Sequence, residues 1–196
     1  GKGAARRERR NKMFGWLVKK RLDAYERSFD YDTSYIRDIY AASPRAFWRF
    51  SKFLGLSTYR EGAPFDAWFA AKLAGTLAED CGPCTQLVVT MAERAGVKGA
   101  TLRAILAGDE AAMSADAALG YRFSRAVLSR DIALGDRLRE EIISRWGQKA
   151  VISLAFSLAS SRVFPTVKYA LGHGKSCVRV SVAGADAPLH HEQLAH

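Results

Sequence analysis

Apolar residues recur three and four positions apart along most of the chain, and this spacing is the strongest constraint on its fold. In the segment that begins at Pro64, for example, Phe65, Trp68, Leu73 and Leu77 share one helical stripe. A stripe of this kind lets a helix bury one face against its neighbours. The sequence therefore predicts an all-α protein.

Turn and capping residues divide this pattern into nine predicted helices: residues 6–25, 34–42, 44–54, 64–77, 81–95, 101–107, 114–127, 134–146 and 148–162. Gly55 and Gly96 are predicted to end the third and fifth of these helices. The ninth is apolar on most sides and is predicted to be the central helix. Pro165 is predicted to kink or break it before a last turn to Leu171. Residues 177–182 form the one short run that fits a strand.

Basic charge is concentrated at the start of the chain. Residues 1–28 contain ten Lys and Arg against three Asp and Glu, a net charge of +7 out of +10 for all 196 residues. Since 48% of the residues are hydrophobic, the chain is rich enough in apolar side chains to fold as one domain. We predict a basic amphipathic arm over residues 1–30, a helical domain over 31–172 and a tail over 173–196.

The arm has three interpretations. A solvated helix, or a helix packed on a partner, is favoured because mixed basic and apolar residues at helical spacing are typical of such helices. Phe14 and Trp16 among the bases leave contact with an anionic membrane surface open. The charge is also compatible with nucleic acid, although nothing in the arm specifies recognition of a base.

Nothing in the sequence predicts a membrane span or secretion. The longest apolar stretch, residues 150–161, is shorter than the ~20 residues that cross a bilayer. The arm lacks the apolar run and the small-residue cleavage site of a signal peptide. Three cysteines do not suggest a disulfide framework, so a reducing compartment, the cytoplasm, is predicted.

Two of these cysteines lie in the sequence Cys81-Gly82-Pro83-Cys84, at the predicted start of a helix. Backbone amides and the positive end of the helix dipole stabilise a thiolate at such a position. The second sulfur is close enough in sequence to form a disulfide with the first. Thioredoxin has the same motif, but its fold requires βαβ units, which the helical pattern excludes. Thiol redox chemistry is the favoured interpretation, with a structural pair as the alternative.

Metal and nucleotide sites are less well supported. A structural zinc ion requires four ligands, so Cys177 and His173 would have to join the pair. The segment Gly174-Lys175-Ser176 resembles part of a phosphate-binding loop, but Tyr169 occupies the position of its first glycine. We therefore expect no metal and no nucleotide. The remaining histidines fall in the polar tail and are predicted to be exposed: His190, His191 and His196.

Three features occur together between residues 35 and 172. A helix leads into Cys-x-x-Cys, the next helix ends at Ala95-Gly96-Val97, and a late helix pair spans Leu138-Arg139 to Trp146-Gly147-Gln148. In these features the chain resembles the AhpD-like alkylhydroperoxidase and carboxymuconolactone decarboxylase superfamily. The resemblance implies a helical bundle that assembles into a homo-oligomer. It also implies that Cys84 attacks a hydroperoxide, that Cys81 resolves the product, and that an external thiol is the reductant, without a metal or bound organic cofactor.

The sequence departs from that family at two positions. Val88 stands where the family's redox branch has a histidine, and Phe69 stands where it tends to have a glutamate. Both groups would relay protons to and from the sulfur and the leaving oxygen. Four ionisable residues near the pair are candidates to take over that relay: Asp66, Lys72, Glu79 and Asp80.

The predicted function is that of a thiol-dependent oxidoreductase, either an alkylhydroperoxidase or a disulfide-exchange enzyme. Its substrate would be a small organic hydroperoxide or a disulfide. The aromatic runs at residues 47–53 and 65–69 are predicted to be core or interface, and they would also suit the wall of an apolar pocket beside the cysteines. Two alternatives remain: a non-catalytic family member with a structural or redox-sensing pair, and an enzyme of the decarboxylase branch.

Overall fold

The helical spacing is realised as ten α-helices in this computed structural model, which describes residues 2–174, 179–187 and 189. The helices are α1 Lys2–Phe29, α2 Ser34–Ala42, α3 Pro44–Phe50, α4 Phe53–Thr58, α5 Phe65–Ala78, α6 Gly82–Arg94, α7 Gly99–Ala107, α8 Ala115–Leu128, α9 Ile132–Trp146 and α10 Gln148–Ala170. A 3-10 turn lies at Glu110–Ala112, and two short antiparallel strands, β1 Ser181–Val182 and β2 Ala185–Asp186, form a hairpin. The all-α prediction is confirmed.

The chain divides into two compact units, residues 1–47 and 48–196. In the first unit, Glu26 on α1 accepts hydrogen bonds from the backbone N–H of Thr33 at 3.1 Å and from its hydroxyl at 2.5 Å. Arg37 on α2 donates to Glu26 at 2.8 Å and to Asp23 at 2.7 Å. The hydrogen bonds from Thr33 and then from Arg37 lower the pKa of Glu26. These contacts fix the turn between α1 and α2.

The second unit is built around α5. Residues 67–76 of this helix are buried without interruption, because α6, α8 and α10 all pack against it. The central position predicted for residues 148–162 is therefore occupied by α5 instead. Helix α10 packs against α5, and some of its own residues remain exposed: Ile152, for example, has an exposed fraction of 37%.

Two glycines allow the neighbouring helices to approach α5 closely. A Cβ atom at Gly120 of α8 would lie 2.5 Å from the carbonyl oxygen of Ala67. A Cβ atom at Gly75 of α5 would lie 2.8 Å from the carbonyl oxygen of Leu158 on α10. Real side chains do not approach backbone this closely, so the packing of α5 depends on glycine at both crossings.

Two predicted helix ends are wrong. Gly55 lies inside α4, where its N–H donates to the carbonyl of Lys52 at 3.1 Å, and the chain instead turns at residues 51–52. Of the predicted kink or break at Pro165, the break is wrong, because α10 continues through Pro165 to Ala170. Proline removes one backbone donor, and tertiary packing holds the helix in spite of this loss: the neighbouring Phe164 ring lies edge-on to Phe50 at 5.5 Å.

Helix α10 also bears on the predicted absence of a membrane span. Within the described residues, it is the one helix long and apolar enough to cross a bilayer, with 23 residues and a mean hydropathy of 1.4 in its best window. Half of that window is buried inside the protein. The core helix of a soluble protein passes the same test, so this observation decides nothing about a membrane.

Candidate functional site

The two cysteines of the Cys-x-x-Cys motif lie at the tight corner between α5 and α6. The N–H of Asp80 donates to the carbonyl of Leu77 at 3.0 Å, and the N–H of Cys81 donates to the carbonyl of Thr76 at 3.4 Å. This pair of bonds is a Schellman motif, which closes the end of a helix and requires left-handed backbone at its turning residue. That residue is Asp80, with φ of 48°.

Cys81 ends this motif and also begins the next helix. It is the N-cap of α6: its carbonyl accepts from the N–H of Thr85 at 2.8 Å, and its sulfur accepts from the N–H of Cys84 at 3.4 Å. Pro83 lies in the first turn, where a missing N–H costs nothing. The prediction that this helix opens at the cysteines is confirmed, and the helix start is what aims an amide donor at a sulfur.

Cys81 and Cys84 are joined as a disulfide, with their Cα atoms 5.3 Å apart. Both side chains are largely buried, with exposed fractions of 3% for Cys81 and 4% for Cys84. A sulfur pair in this setting is protected from bulk solvent, so any reaction partner has to reach it through an opening in the surface.

A cleft of about 890 Å³ provides that opening. Cys81 lines the cleft, whereas Cys84 is not among the described residues that line it. The wall contains ionisable or polar side chains from four parts of the chain: Glu79, Asp80, Thr85, Tyr169, Arg179 and Asp186. The apolar part of the wall comes from α5 and from the tail: Leu77, Val180, Ala187 and Leu189.

The aromatic runs predicted as a pocket wall do not line this cleft. Phe69 and Trp68 instead pack edge-on against each other at 4.9 Å in the core. Sequence analysis missed Tyr169, whose hydroxyl donates to the backbone carbonyl of Asp80 at 2.7 Å and so braces the residue before Cys81. A lone tyrosine in the last turn of a helix gives no sequence signal of this contact.

The described part of the tail packs on α6, the helix that begins at the cysteines. Gln86 on α6 accepts from the N–H of Ser181 at 2.7 Å and donates to its carbonyl at 3.2 Å. Glu93 accepts from the N–H of Ala183 at 2.6 Å, and Arg103 of α7 donates to the carbonyl of Val182 at 2.6 Å. These hydrogen bonds hold the hairpin against α6 and α7, where it forms one side of the cleft.

The four candidate relay residues lie in different parts of the structure. Asp66 accepts a hydrogen bond from the hydroxyl of Ser114 at 2.6 Å, and Lys72 donates to the carbonyl of Ser57 at 2.7 Å, so both are engaged elsewhere. Glu79 and Asp80 line the cleft beside Cys81. Glu79 forms an ion pair with Arg162 at 2.6 Å and accepts a hydrogen bond from the hydroxyl of Thr166 at 3.3 Å. Val88 and Phe69 are buried in the apolar core and offer no proton donor.

Lys72 is a cation inside the core. Its side chain is 4% exposed, and the ammonium lies 4.4 Å from the centre of the Trp68 ring as well as on the Ser57 carbonyl. Burial lowers the pKa of Lys72 from its usual 10.5 to about 7. The folded protein therefore holds this proton less tightly than the unfolded chain does.

This difference predicts that stability rises with pH through the alkaline range. Between pH 7 and 10.5 the unfolded chain binds more protons at Lys72 than the folded protein, so unfolding becomes less favourable as pH increases, by about 1 kcal/mol per pH unit. Urea midpoints at pH 7.5, 8.5 and 9.5 measure the slope. The variant Lys72→Met should lack it, and equal slopes in the two proteins would contradict this account.

The left-handed backbone of Asp80 gives a second prediction at the corner. Glycine adopts this conformation without strain, so Asp80→Gly should stabilise the protein by about 0.5–1 kcal/mol, while Asp80→Ala should destabilise it by about 1 kcal/mol. The brace from Tyr169 is kept in both variants because it uses the backbone carbonyl. Thermal unfolding of the two variants provides the comparison, and a shift in the same direction for both would argue against strain at Asp80.

Metal binding has no donor cluster to support it in the described part of the chain. No group of three or more His, Cys, Asp or Glu side chains there is arranged to hold an ion. His173 is described and caps the end of α10, its N–H donating to the carbonyl of Lys168 at 3.0 Å. The other residues considered in the tail lie outside the described residues: Lys175, Ser176, Cys177, His190, His191 and His196.

Comparison with known proteins does not identify a family for this chain. No protein-family model, curated protein or solved structure matches the chain. The function therefore has to be inferred from the cysteine pair and the cleft beside it.

Proposed function

We propose that this chain is a thiol-dependent oxidoreductase that cycles Cys81 and Cys84 between a dithiol and a disulfide. The observation that supports this best is the disulfide at the start of α6, with one of its two cysteines, Cys81, among the residues that line a cleft. A purely structural crosslink between residues three apart closes a very small loop, so it restricts the unfolded chain little. Reversible chemistry is the better explanation for such a pair.

The reductive half of the cycle consumes an external dithiol. One of its thiolates attacks a sulfur of the protein disulfide, the S–S bond breaks, and the other protein sulfur leaves as a thiolate. The second thiol of the reductant then displaces the protein from the mixed disulfide. The reductant has become a disulfide, and the protein has gained two electrons and two protons.

The oxidative half returns the protein to the disulfide by reaction with a disulfide or an organic hydroperoxide. For the hydroperoxide, we retain the proposal that Cys84 attacks the peroxide and is oxidised to a sulfenic acid, releasing an alcohol, and that Cys81 then displaces water to form the disulfide. Disulfide exchange is the better supported of the two, since it places fewer demands on a proton relay. Neither Val88 nor Phe69 can supply that relay.

The remaining parts of the proposal follow from the sequence resemblance. They are an AhpD-like helical bundle and a homo-oligomeric assembly, with an external thiol in place of a bound cofactor. Action in the cytoplasm is proposed from the cysteine count. A contact of the basic arm with a membrane surface or with nucleic acid is not needed for this function. Within the first unit, α1 does leave large apolar side chains exposed, including Trp16 at 58% and Met13 at 55%.

Turnover assays test the proposal. The purified protein is supplied with a dithiol and either hydroxyethyl disulfide or tert-butyl hydroperoxide, and loss of free thiol is followed over time. Catalytic loss of thiol with either oxidant supports an oxidoreductase, and the faster oxidant identifies the branch. A single oxidation that changes oligomer size without turnover would instead indicate a redox-sensing pair, and thiols that never react would indicate a structural one.

A further inference from the structure

We propose that Cys81 is the sulfur that exchanges with the external thiol or disulfide, and that the cleft closed by the tail hairpin is where a small-molecule partner docks. This inference rests on the proposed function and adds to it the site of attack and the class of partner. It concerns disulfide exchange, whereas the role of Cys84 proposed above concerns attack on a hydroperoxide.

The first support is access. An incoming thiolate has to approach one sulfur along the line of the S–S bond, on the side away from the other sulfur. Both cysteines are more than nine-tenths buried, so the cleft decides which sulfur can be reached. Cys81 lines the cleft and Cys84 does not. Attack at Cys81 therefore leaves Cys84 as the departing thiolate, within the first turn of α6.

The second support is the amide donor at the helix start. The N–H of Cys84 points at the sulfur of Cys81 at 3.4 Å. A hydrogen bond from a backbone amide favours the charged form of its acceptor. When the mixed disulfide on Cys81 is released by the second thiol of the reductant, the electron pair returns to Cys81, and this donor stabilises it. The donor therefore faces the sulfur that has to act as leaving group in that step and as nucleophile in the reverse direction.

The third support is the shape and wall of the cleft. A volume of about 890 Å³ is in the range of small-molecule sites and is too confined for a folded protein to enter. Its lining includes apolar residues of the tail, Val180, Ala187 and Leu189, and one basic residue, Arg179, which is paired with Asp186 at 3.4 Å. The site thus fits a small thiol or disulfide with an apolar body.

The hairpin forms one wall of this site and is held in place by hydrogen bonds. Val180 is 1% exposed and its carbonyl accepts from the N–H of Ala187 at 2.9 Å, so the residues just before β1 and just after β2 are held together where they line the cleft. Gln86 binds both the N–H and the carbonyl of Ser181, as a neighbouring strand would. Because Gln86 lies on α6, five residues after the N-cap Cys81, the hairpin wall and Cys81 are positioned by the same helix.

Single-cysteine variants test the site of attack. In a Cys177→Ser background, Cys84→Ser leaves Cys81 alone and Cys81→Ser leaves Cys84 alone. Each reduced variant is mixed with dithiodipyridine, a small apolar disulfide, and the released thiopyridone is followed by absorbance. We expect the protein that retains Cys81 to react at least about tenfold faster. Equal rates, or faster reaction of Cys84, would overturn the assignment.

Two alanines on the hairpin test the docking site. Ala187 lines the cleft, whereas Ala185 lies on the same hairpin, is exposed and does not line it. Ala187→Phe should slow the reaction of Cys81 with dithiodipyridine about fivefold or more by filling the cleft, while Ala185→Phe should leave the rate unchanged. Similar rates in both variants, each confirmed as folded by circular dichroism, would show that the partner does not use this cleft.

Failure of this inference is distinguishable from failure of the proposed function. Turnover of a dithiol by the Cys177→Ser protein, together with faster reaction at Cys84, would keep the oxidoreductase and remove only the assignment to Cys81. No turnover and no reaction of either single cysteine in the folded state would remove both.

Discussion

Replacing either cysteine of the pair is expected to reduce dithiol turnover at least about 100-fold. With Cys84→Ser, an external disulfide can still react at Cys81, but the mixed disulfide then waits for an external thiol, because no internal thiol can displace it. Intramolecular attack by a neighbouring group has an effective concentration of roughly 10⁵ M or more when well oriented, so its loss has a large effect on the rate. Cys81→Ser removes the cysteine that lines the cleft and should lose turnover as completely.

Cys177→Ser is the control for these two variants. It removes the third thiol of the chain and leaves the Cys81–Cys84 disulfide intact. Initial rates of thiol loss, normalised to folded protein by circular dichroism, should stay within about twofold of the parent protein. If Cys177→Ser instead abolished turnover while Cys84→Ser retained it, the reactive pair would have been misidentified.

The second large effect is expected where α8 crosses α5. Gly120→Ala should destabilise the second unit by about 3 kcal/mol, because the added methyl group would lie 2.5 Å from the carbonyl oxygen of Ala67 and 2.8 Å from its Cα atom. Backbone atoms inside a buried helix cannot move aside as a flexible side chain can. The two helices would have to separate, which opens gaps elsewhere in the core.

Gly135 on α9 provides the matched control. A Cβ atom there would meet nothing within 4 Å, so Gly135→Ala should keep all contacts and gain the helix propensity of alanine, about 0.5–1 kcal/mol. Midpoints of urea unfolding at pH 7.5 measure both changes. Stabilisation by both substitutions would mean that α8 and α5 do not approach each other as closely as the structure has them.

Much of the helical frame could be predicted because its signals are local. The stripe that defines α5, the glycine at residue 96 and the proline of the Cys-x-x-Cys motif each act within one or two turns of the chain, and the corresponding helix boundaries are confirmed. Local signals were misleading where packing overrides them. Pro165 lies within α10, and Gly55 lies within α4 rather than ending α3.

The central helix was harder to assign from sequence. Both α5 and α10 are apolar, but only the contacts of distant helices decide which of them is surrounded. Judged by polarity alone, Lys72 in the buried stretch of α5 would argue against a central position for this helix. The Ser57 carbonyl and the Trp68 ring stabilise the amine of Lys72 in the core, and no sequence pattern predicts these two contacts.

The cysteine pair was found from sequence, but the cleft beside it was not. Asp80 has the left-handed backbone that glycine usually adopts at the end of a helix. Because the residue here is not glycine, the sequence did not indicate the tight corner before Cys81. Gln86 and Ser181 meet across 95 residues of sequence, and a contact of that range leaves no periodic pattern. Which cysteine lines the cleft depends on these contacts and could not be predicted from the sequence.

The central claim is that the pair cycles reversibly between dithiol and disulfide in the folded protein. It is tested most directly by equilibrating the native protein in a series of dithiol/disulfide redox buffers, alkylating the free thiols, and counting the labels on the peptide that carries Cys81 and Cys84 by mass spectrometry. The account predicts that this peptide passes from no labels to two labels together, at one midpoint, and returns when the buffer is reoxidised. A pair that exchanges with the buffer only after the chain is unfolded would contradict it.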